Sequence, residues 1–165
     1  MDHNMFCFQC EQTAGCTGCT SRGVCGKDAQ TAQVQDRLTG ALIGLARAAD
    51  TSPDAGPETW QLMIEGLFAT LTNVNFDPDS LNALTERVWV EKQRLVPDCA
   101  VCTAPCGRTG DYDLAQLWGA QEDIRSLKSL LLFGSRGMAA YAYHAMVLGY
   151  RDESVERFLS KALFA

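Results

Sequence analysis

The chain has 165 residues, of which 14 are basic and 20 acidic, for a formal net charge of −6. That length is the usual size of one domain, roughly 100–200 residues, and a hydrophobic content of 47% is enough for a core. The acid excess argues against nucleic-acid binding, which needs a basic face, while leaving room for a basic protein partner.

Met5 to Lys27 is a loop by its composition. It carries Cys7, Cys10, Cys16, Cys19 and Cys25, five of the eight cysteines, with Gly15, Gly18, Gly23 and Gly26 among and after them. No apolar periodicity runs through it, so burial gives it little means of holding itself together and something bound to the sulfurs is expected to do so. Disulfides, zinc and an iron–sulfur cluster compete for the thiols. Met1–Asn4 runs straight into the cysteines without an apolar leader, so a reducing, cytoplasmic setting is expected, and structural disulfides are rare there. Cys7-x2-Cys10 and Cys16-x2-Cys19 look like two zinc knuckles, but five residues between the pairs fall short of the roughly 12–20 of zinc ribbons. An iron–sulfur cubane needs four thiolates converging on one compact object, and small glycine-rich intervals let the backbone come close to it.

Asp28 is a candidate N-cap. Val34, Leu38, Ala41, Leu42 and Leu45 then predict an amphipathic helix over Asp28 to Ala49. Its N-terminus stands beside Cys25, where a helix end favours negative charge. Arg22 and Lys27 either add positive charge to that site or lie on the solvated surface. The stretch from Thr51 to Gly56 is a turn. Pro57 then opens a second helix, with an apolar stripe of Trp60, Met63, Ile64, Leu67, Phe68 and Leu71. Asn73–Asp77 breaks it. Asp77-Pro78 caps and starts a third helix with Leu81, Leu84, Val88 and Leu95, which ends before Pro97.

Pro97 to Asp113 is a second irregular stretch, with Cys99, Cys102 and Cys106 in the pattern C-x2-C-x3-C. A second metal site with Cys16 as fourth ligand is one reading. A packed loop of inert thiols is the other. Asp113 can cap a further helix from Leu114, with Leu117, Trp118, Ile124, Leu127 and Leu131 on one side. Gly134 and Gly137 are expected to bend it or split it in two before Leu148. Leu130–Tyr150 has the apolar character of a membrane span, but Arg136 at its centre is costly in lipid, so a buried core helix is expected instead, with His144 in a core-like position. Asp152 caps a last helix through Phe164, with Val155, Phe158, Leu159 and Leu163 apolar. No strand or hairpin pattern appears. The fold class expected is all-α: a bundle of about five or six helices with the cysteine loop, residues 5–27, tied onto one end.

FCFQCEQTA with GCTSRGVCGKD, FATLTNVNFD, CAVCTAPCGRTGDYD and RSLKSLLLFGSRGMAAYAYHAMVLGY resemble the hybrid cluster proteins, also called prismane proteins or hydroxylamine reductases, over most of the chain. The resemblance implies that Cys7, Cys10, Cys19 and Cys25, in the pattern C-x2-C-x8-C-x5-C, are the thiolate ligands of a [4Fe–4S] cluster, as in one branch of that family; the other branch has different intervals and a [2Fe–2S] cluster. Cys16 falls outside this set and is read as a spare thiol, with ligand exchange between it and Cys19 as the alternative, and Cys99, Cys102 and Cys106 are not ligands in the family. The resemblance further implies one-electron transfer toward a second, mixed iron–sulfur–oxygen cluster that reduces hydroxylamine or nitric oxide. The His, Glu and Cys ligands of that second cluster lie downstream of the matched region. The chain is therefore expected to correspond to the first domain of a longer protein, residues 1–165 forming a single helical iron–sulfur domain without a catalytic residue of its own. The alternatives are a part of a complete reductase whose remaining ligands lie on another chain, and a structural metal module. A redox protein or the remaining domains are the expected partners, with association between copies a further expectation; neither nucleic acid nor a membrane is expected.

Overall fold

The computed structural model describes residues 5–7, 9–10, 18–96 and 111–165. Cys16, and Cys99, Cys102 and Cys106 in the second irregular stretch, lie outside the described residues, and so do both roles considered for them.

Among the described residues six helices follow one another: α1 (Ala29–Thr51), α2 (Pro57–Ala69), α3 (Pro78–Leu95), α4 (Leu114–Trp118), α5 (Glu122–Val147) and α6 (Glu153–Phe164). Among the described residues there is no β-sheet, and the fold is an all-α bundle. The caps are where the residue types place them. The Asp28 carboxylate accepts from the Thr31 N–H at 2.8 Å, and Asp77, Asp113 and Asp152 each accept from a backbone N–H of the first turn of their helix. Pro57 and Pro78 stand at first-turn positions that need no donor.

α1 is the central helix. It packs against α2, α3 and α6, and Leu38, Ala41, Leu42, Leu45 and Ala46 on it have no exposed surface. Met63, Leu67, Leu81, Val88 and Leu159 close the core around it. Gly40 marks a contact that no side chain could allow. The Tyr112 N–H donates to the Gly40 carbonyl at 3.2 Å, and a Cβ on Gly40 would come 2.2 Å from the Tyr112 carbonyl oxygen. Beside it, Asp111 accepts from the Lys92 ammonium and from the Trp89 indole N–H, both at 2.7 Å. Residues 111–112 are thus fastened to both α1 and α3.

The region after Asp113 differs from its expectation in three ways. The break falls at 119–121, between α4 and α5, and α5 runs unbroken through Gly134 and Gly137. A Cβ at either glycine would meet nothing within 4 Å, so neither position is under steric demand that would bend the helix. Leu130–Tyr150 is not a buried core helix: within α5 only Ser135, Arg136 and Ala139 are buried. Ile124, Leu127, Leu130, Met138, Tyr141 and Val147 are exposed, Leu130 at 71% and Tyr141 at 82%. α5 meets the bundle along a narrow strip, chiefly against α2, where Tyr143 stacks on Phe68 with centroids 4.4 Å apart. His144 is exposed rather than in the core; its ring meets Phe68 edge-on at 5.5 Å. Among the described residues no helix is long and apolar enough to cross a membrane.

Candidate metal centre

Backbone contacts fix the described residues of the cysteine loop. Cys7 and Cys19 form an isolated antiparallel bridge, each N–H donating to the other's carbonyl, at 2.9 and 3.3 Å. A Cβ on Gly18 would lie 2.7 Å from the Cys7 carbonyl oxygen, so this approach needs glycine there. Cys25 sits in a tight turn in which the Gly23 N–H donates to the Lys27 carbonyl and the Gly26 N–H to the Gly23 carbonyl, both at 2.8 Å. Gly26 has φ +93°, a conformation that L side chains rarely adopt. A Cβ on Gly23 would stand 3.0 Å from the Cys25 sulfur. The turn then delivers the chain to the Asp28 cap, which ties the loop to the start of α1.

Cys7, Cys10, Cys19 and Cys25 all line one cavity of about 570 Å³, together with Lys27, Leu71, Asn73, Phe133 and Arg136. Its walls thus come from the loop, the turn after α2, and α5. Cys7 is buried and the other three are half-buried. None is in a disulfide. Burial pushes the Cys7 thiol above its ordinary range, and a backbone hydrogen bond from Gln9 and the charge of Lys27 oppose that rise.

The cavity wall carries two buried cations, Lys27 and Arg136, each only 2% exposed. Lys27 was open to a surface role on sequence grounds; the structure buries it, and its ammonium donates to the Gln35 side-chain oxygen. Gln35 in turn donates to the Asn75 carbonyl at 2.8 Å. Arg22, by contrast, is exposed. Arg136 uses its whole guanidinium fork: Nε donates to Thr70 Oγ1 at 3.0 Å, Nη1 to the Gln9 carbonyl at 3.2 Å and Nη2 to Thr39 Oγ1 at 2.9 Å. The two threonine hydroxyls spend their own protons on the carbonyls of Leu67 and Gln35, which leaves their lone pairs for the arginine. Burial lowers the Arg136 pKa to about 10, with Asp36, Cys7 and Cys10 raising it in opposition, so it remains a cation at neutral pH. No carboxylate among the described residues stands within ion-pairing distance of either cation. Asp36, the half-buried acid nearby, accepts from the Gln9 side-chain amide instead. Burial raises its pKa to about 7, against the pull of Arg136 and Lys27 and with the help of Asp113.

Nothing in the sequence marked Arg136 beyond its oddity as one charge within an apolar, glycine-containing helix. Gln35, Thr39 and Thr70 gave no signal, since polar residues on an otherwise apolar face look like exposed positions until a partner is brought to them.

The chemistry of this donor set can be tested against the groups it could hold. Among the described residues no three His, Cys, Asp or Glu side chains gather closely enough to grip a single metal ion. Four thiols around one cavity, with two cations in its wall, fit instead a larger anionic group to which each sulfur contributes one bond. A polynuclear iron–sulfur cluster is such a group, and a thiol that coordinates a metal is deprotonated whatever its burial.

Hydroxylamine reductase of Desulfitobacterium hafniense (strain Y51) is 39% identical to the chain across 98% of it, and that of Porphyromonas gingivalis (strain ATCC 33277) is 38% identical across 99%. Hydroxylamine reductase of Methanococcus vannielii is 37% identical across 96%. In each case the match takes in 33% of the relative, so the chain spans about a third of the length of these curated relatives. Residues 5–165 match the Prismane/CO dehydrogenase family, and with the cysteine loop and every described helix inside that span, the chain belongs to this family.

Proposed function

We propose that Cys7, Cys10, Cys19 and Cys25 hold a [4Fe–4S] cluster and that the chain is the electron-transfer part of a hydroxylamine-reductase-type protein, working in the cytoplasm. The observation that carries this is the single cavity on which all four thiols open, walled by two buried cations that have no carboxylate partner among the described residues. An unpaired buried charge costs several kcal/mol, so the wall is built for an anion, and a cluster on four thiolates is one. When bound, such a group supplies one-electron transfer. The chain's part is to ligate it, to keep water from most of it, and to place positive charge beside it. Membership of the family, and relatives named hydroxylamine reductase, support the same identity for the group.

The chain's length against its relatives, and the exposed apolar side of α5, favour a second element of this proposal. The partner is the remaining two-thirds of a hydroxylamine-reductase-type polypeptide, which carries the substrate-reducing centre and covers α5 at Leu127, Leu130, Met138 and Tyr141. Contiguous exposed apolar surface of this kind marks an association face.

Iron, zinc and acid-labile sulfide per chain, measured on anaerobically purified protein, test the cluster. About four irons and four sulfides with negligible zinc are expected for a cubane on four cysteines. Two irons and two sulfides would assign the protein to the [2Fe–2S] branch, and zinc without sulfide would make it a structural metal module.

A further inference from the structure

Arg136 reaches the cysteine site from α5, and its three nitrogens each donate to a neutral acceptor, two hydroxyls and a carbonyl. Lys27 reaches the same cavity from the loop and is met by the neutral side chain of Gln35. A fold that needed only hydrogen-bond tethers at these two places could use uncharged donors and avoid burying two cations. Neutral hydrogen-bond partners hold a charge in position without cancelling it, and the one acid that acts on both cations, Asp36, accepts from Gln9 and is ion-paired to neither among the described residues, so their field reaches the cavity. In a buried site that field is little screened by water or salt.

We propose that Arg136 and Lys27 are fixed counter-charges that raise the reduction potential of the group held by the four cysteines. This rests on the iron–sulfur assignment above. Reduction transfers one electron from an external one-electron donor, which is oxidised by one unit, to the cysteine-held group, whose charge becomes one unit more negative; no bond forms or breaks. Two fixed positive charges favour the more negative state, so removing either makes reduction harder. Arg136 acts here as a positioning residue as well. Through the Gln9 carbonyl it holds the segment between Cys7 and Cys10 against Thr39 of α1 and Thr70 beyond α2, so that the charge and two of the ligands keep a constant separation.

The test is a redox titration followed by visible absorbance on the cluster-loaded chain, with iron and sulfide measured on the same samples. Arg136→Gln keeps hydrogen-bond donors and loses the charge; Arg136→Lys keeps the charge and loses the fork. With full iron and sulfide content, Arg136→Gln is expected to titrate at a clearly more negative potential than wild type, and Arg136→Lys close to wild type. A fully loaded Arg136→Gln protein with the wild-type potential would overturn the proposal and leave the cluster assignment standing, as would Arg136→Lys shifting as far as Arg136→Gln. Should Arg136→Gln not fold, Lys27→Gln carries the same expectation, and an unshifted potential there overturns it. Wild-type protein that binds no iron and sulfide defeats the cluster assignment itself, and this proposal with it.

Discussion

The guanidinium of Arg136 donates to the main-chain carbonyl of Gln9 at 3.2 Å, across 127 residues of sequence. Gln9 lies between Cys7 and Cys10, so α5 is stitched to the segment that carries two of the four thiols. The segment with Cys7 and Cys10 is therefore held by the bundle, through Arg136 of α5, Thr39 of α1 and Thr70 at the end of α2.

Because the thiols share one cavity, losing any of the four should be felt at once. Cys7→Ala, Cys10→Ala, Cys19→Ala and Cys25→Ala should each lose or badly degrade visible absorbance and bound iron. Cys16→Ala, Cys99→Ala, Cys102→Ala and Cys106→Ala should keep both. Retention in Cys19→Ala together with loss in Cys16→Ala would move Cys16 into the ligand set.

Asp36 is expected to give the apoprotein a pH dependence. Its folded-state pKa, about 7, lies above the ordinary 3.8, so the folded protein holds this proton more tightly than the unfolded one. The contribution is fully present below pH 3.8 and is lost as pH rises through 7. Asp36→Asn keeps an acceptor for Gln9 and removes the titration. Urea midpoints of wild type minus Asp36→Asn should fall between about pH 4 and about pH 8, and a difference that rises with pH would contradict the burial of this carboxyl.

Two glycine substitutions should act in opposite directions. Gly40→Ala forces a Cβ to within 2.2 Å of the Tyr112 carbonyl, and only backbone movement relieves that. A loss of about 1–3 kcal/mol is expected, as for overpacked cores. Gly134→Ala adds its Cβ to open space in a helix interior and should stabilise by up to about 1 kcal/mol. Thermal denaturation of both measures this, and a neutral Gly40→Ala would refute the close contact.

The exposed side of α5 can be charged without touching the core. Leu130→Glu with Tyr141→Glu should leave stability within about 1 kcal/mol, as surface changes of roughly 0.5 kcal/mol each do. The pair should abolish co-purification with a co-expressed polypeptide carrying the unmatched two-thirds of the Desulfitobacterium hafniense hydroxylamine reductase. Undiminished co-purification would place the contact elsewhere.

The chain by itself should consume hydroxylamine no faster than background with reduced methyl viologen as donor. N–O reduction takes two electrons and an open metal position, and the irons of the proposed cubane, with every cysteine of the set used as a ligand, would offer none. Outside the four cysteines, His144 is exposed and not joined to a ligand set among the described residues. Robust cluster-dependent turnover would mean a further site, and the stretch with Cys99, Cys102 and Cys106 would be the first place to seek it.

Local chemistry made the helices legible in the sequence. Asp28, Asp77, Asp113 and Asp152 announce their helices because a cap acts on the next two or three residues, and the apolar spacing of Val34 to Leu45 predicts α1 because one face of a helix repeats every few positions. The four cysteines were readable as a set from their likeness to a family. What the sequence could not decide was which sides of α5 would be covered. Its apolar residues run almost all round, so composition alone reads as burial, whereas the bundle takes up a strip with Ser135, Arg136 and Ala139 and leaves Leu130 and Tyr141 outside. Nor could it show that Lys27 and Arg136 are buried beside the thiols. A cation's default place is water, and only the tertiary structure, by bringing Gln35, Thr39, Thr70 and the Gln9 carbonyl to their donors, makes the interior an acceptable place for both.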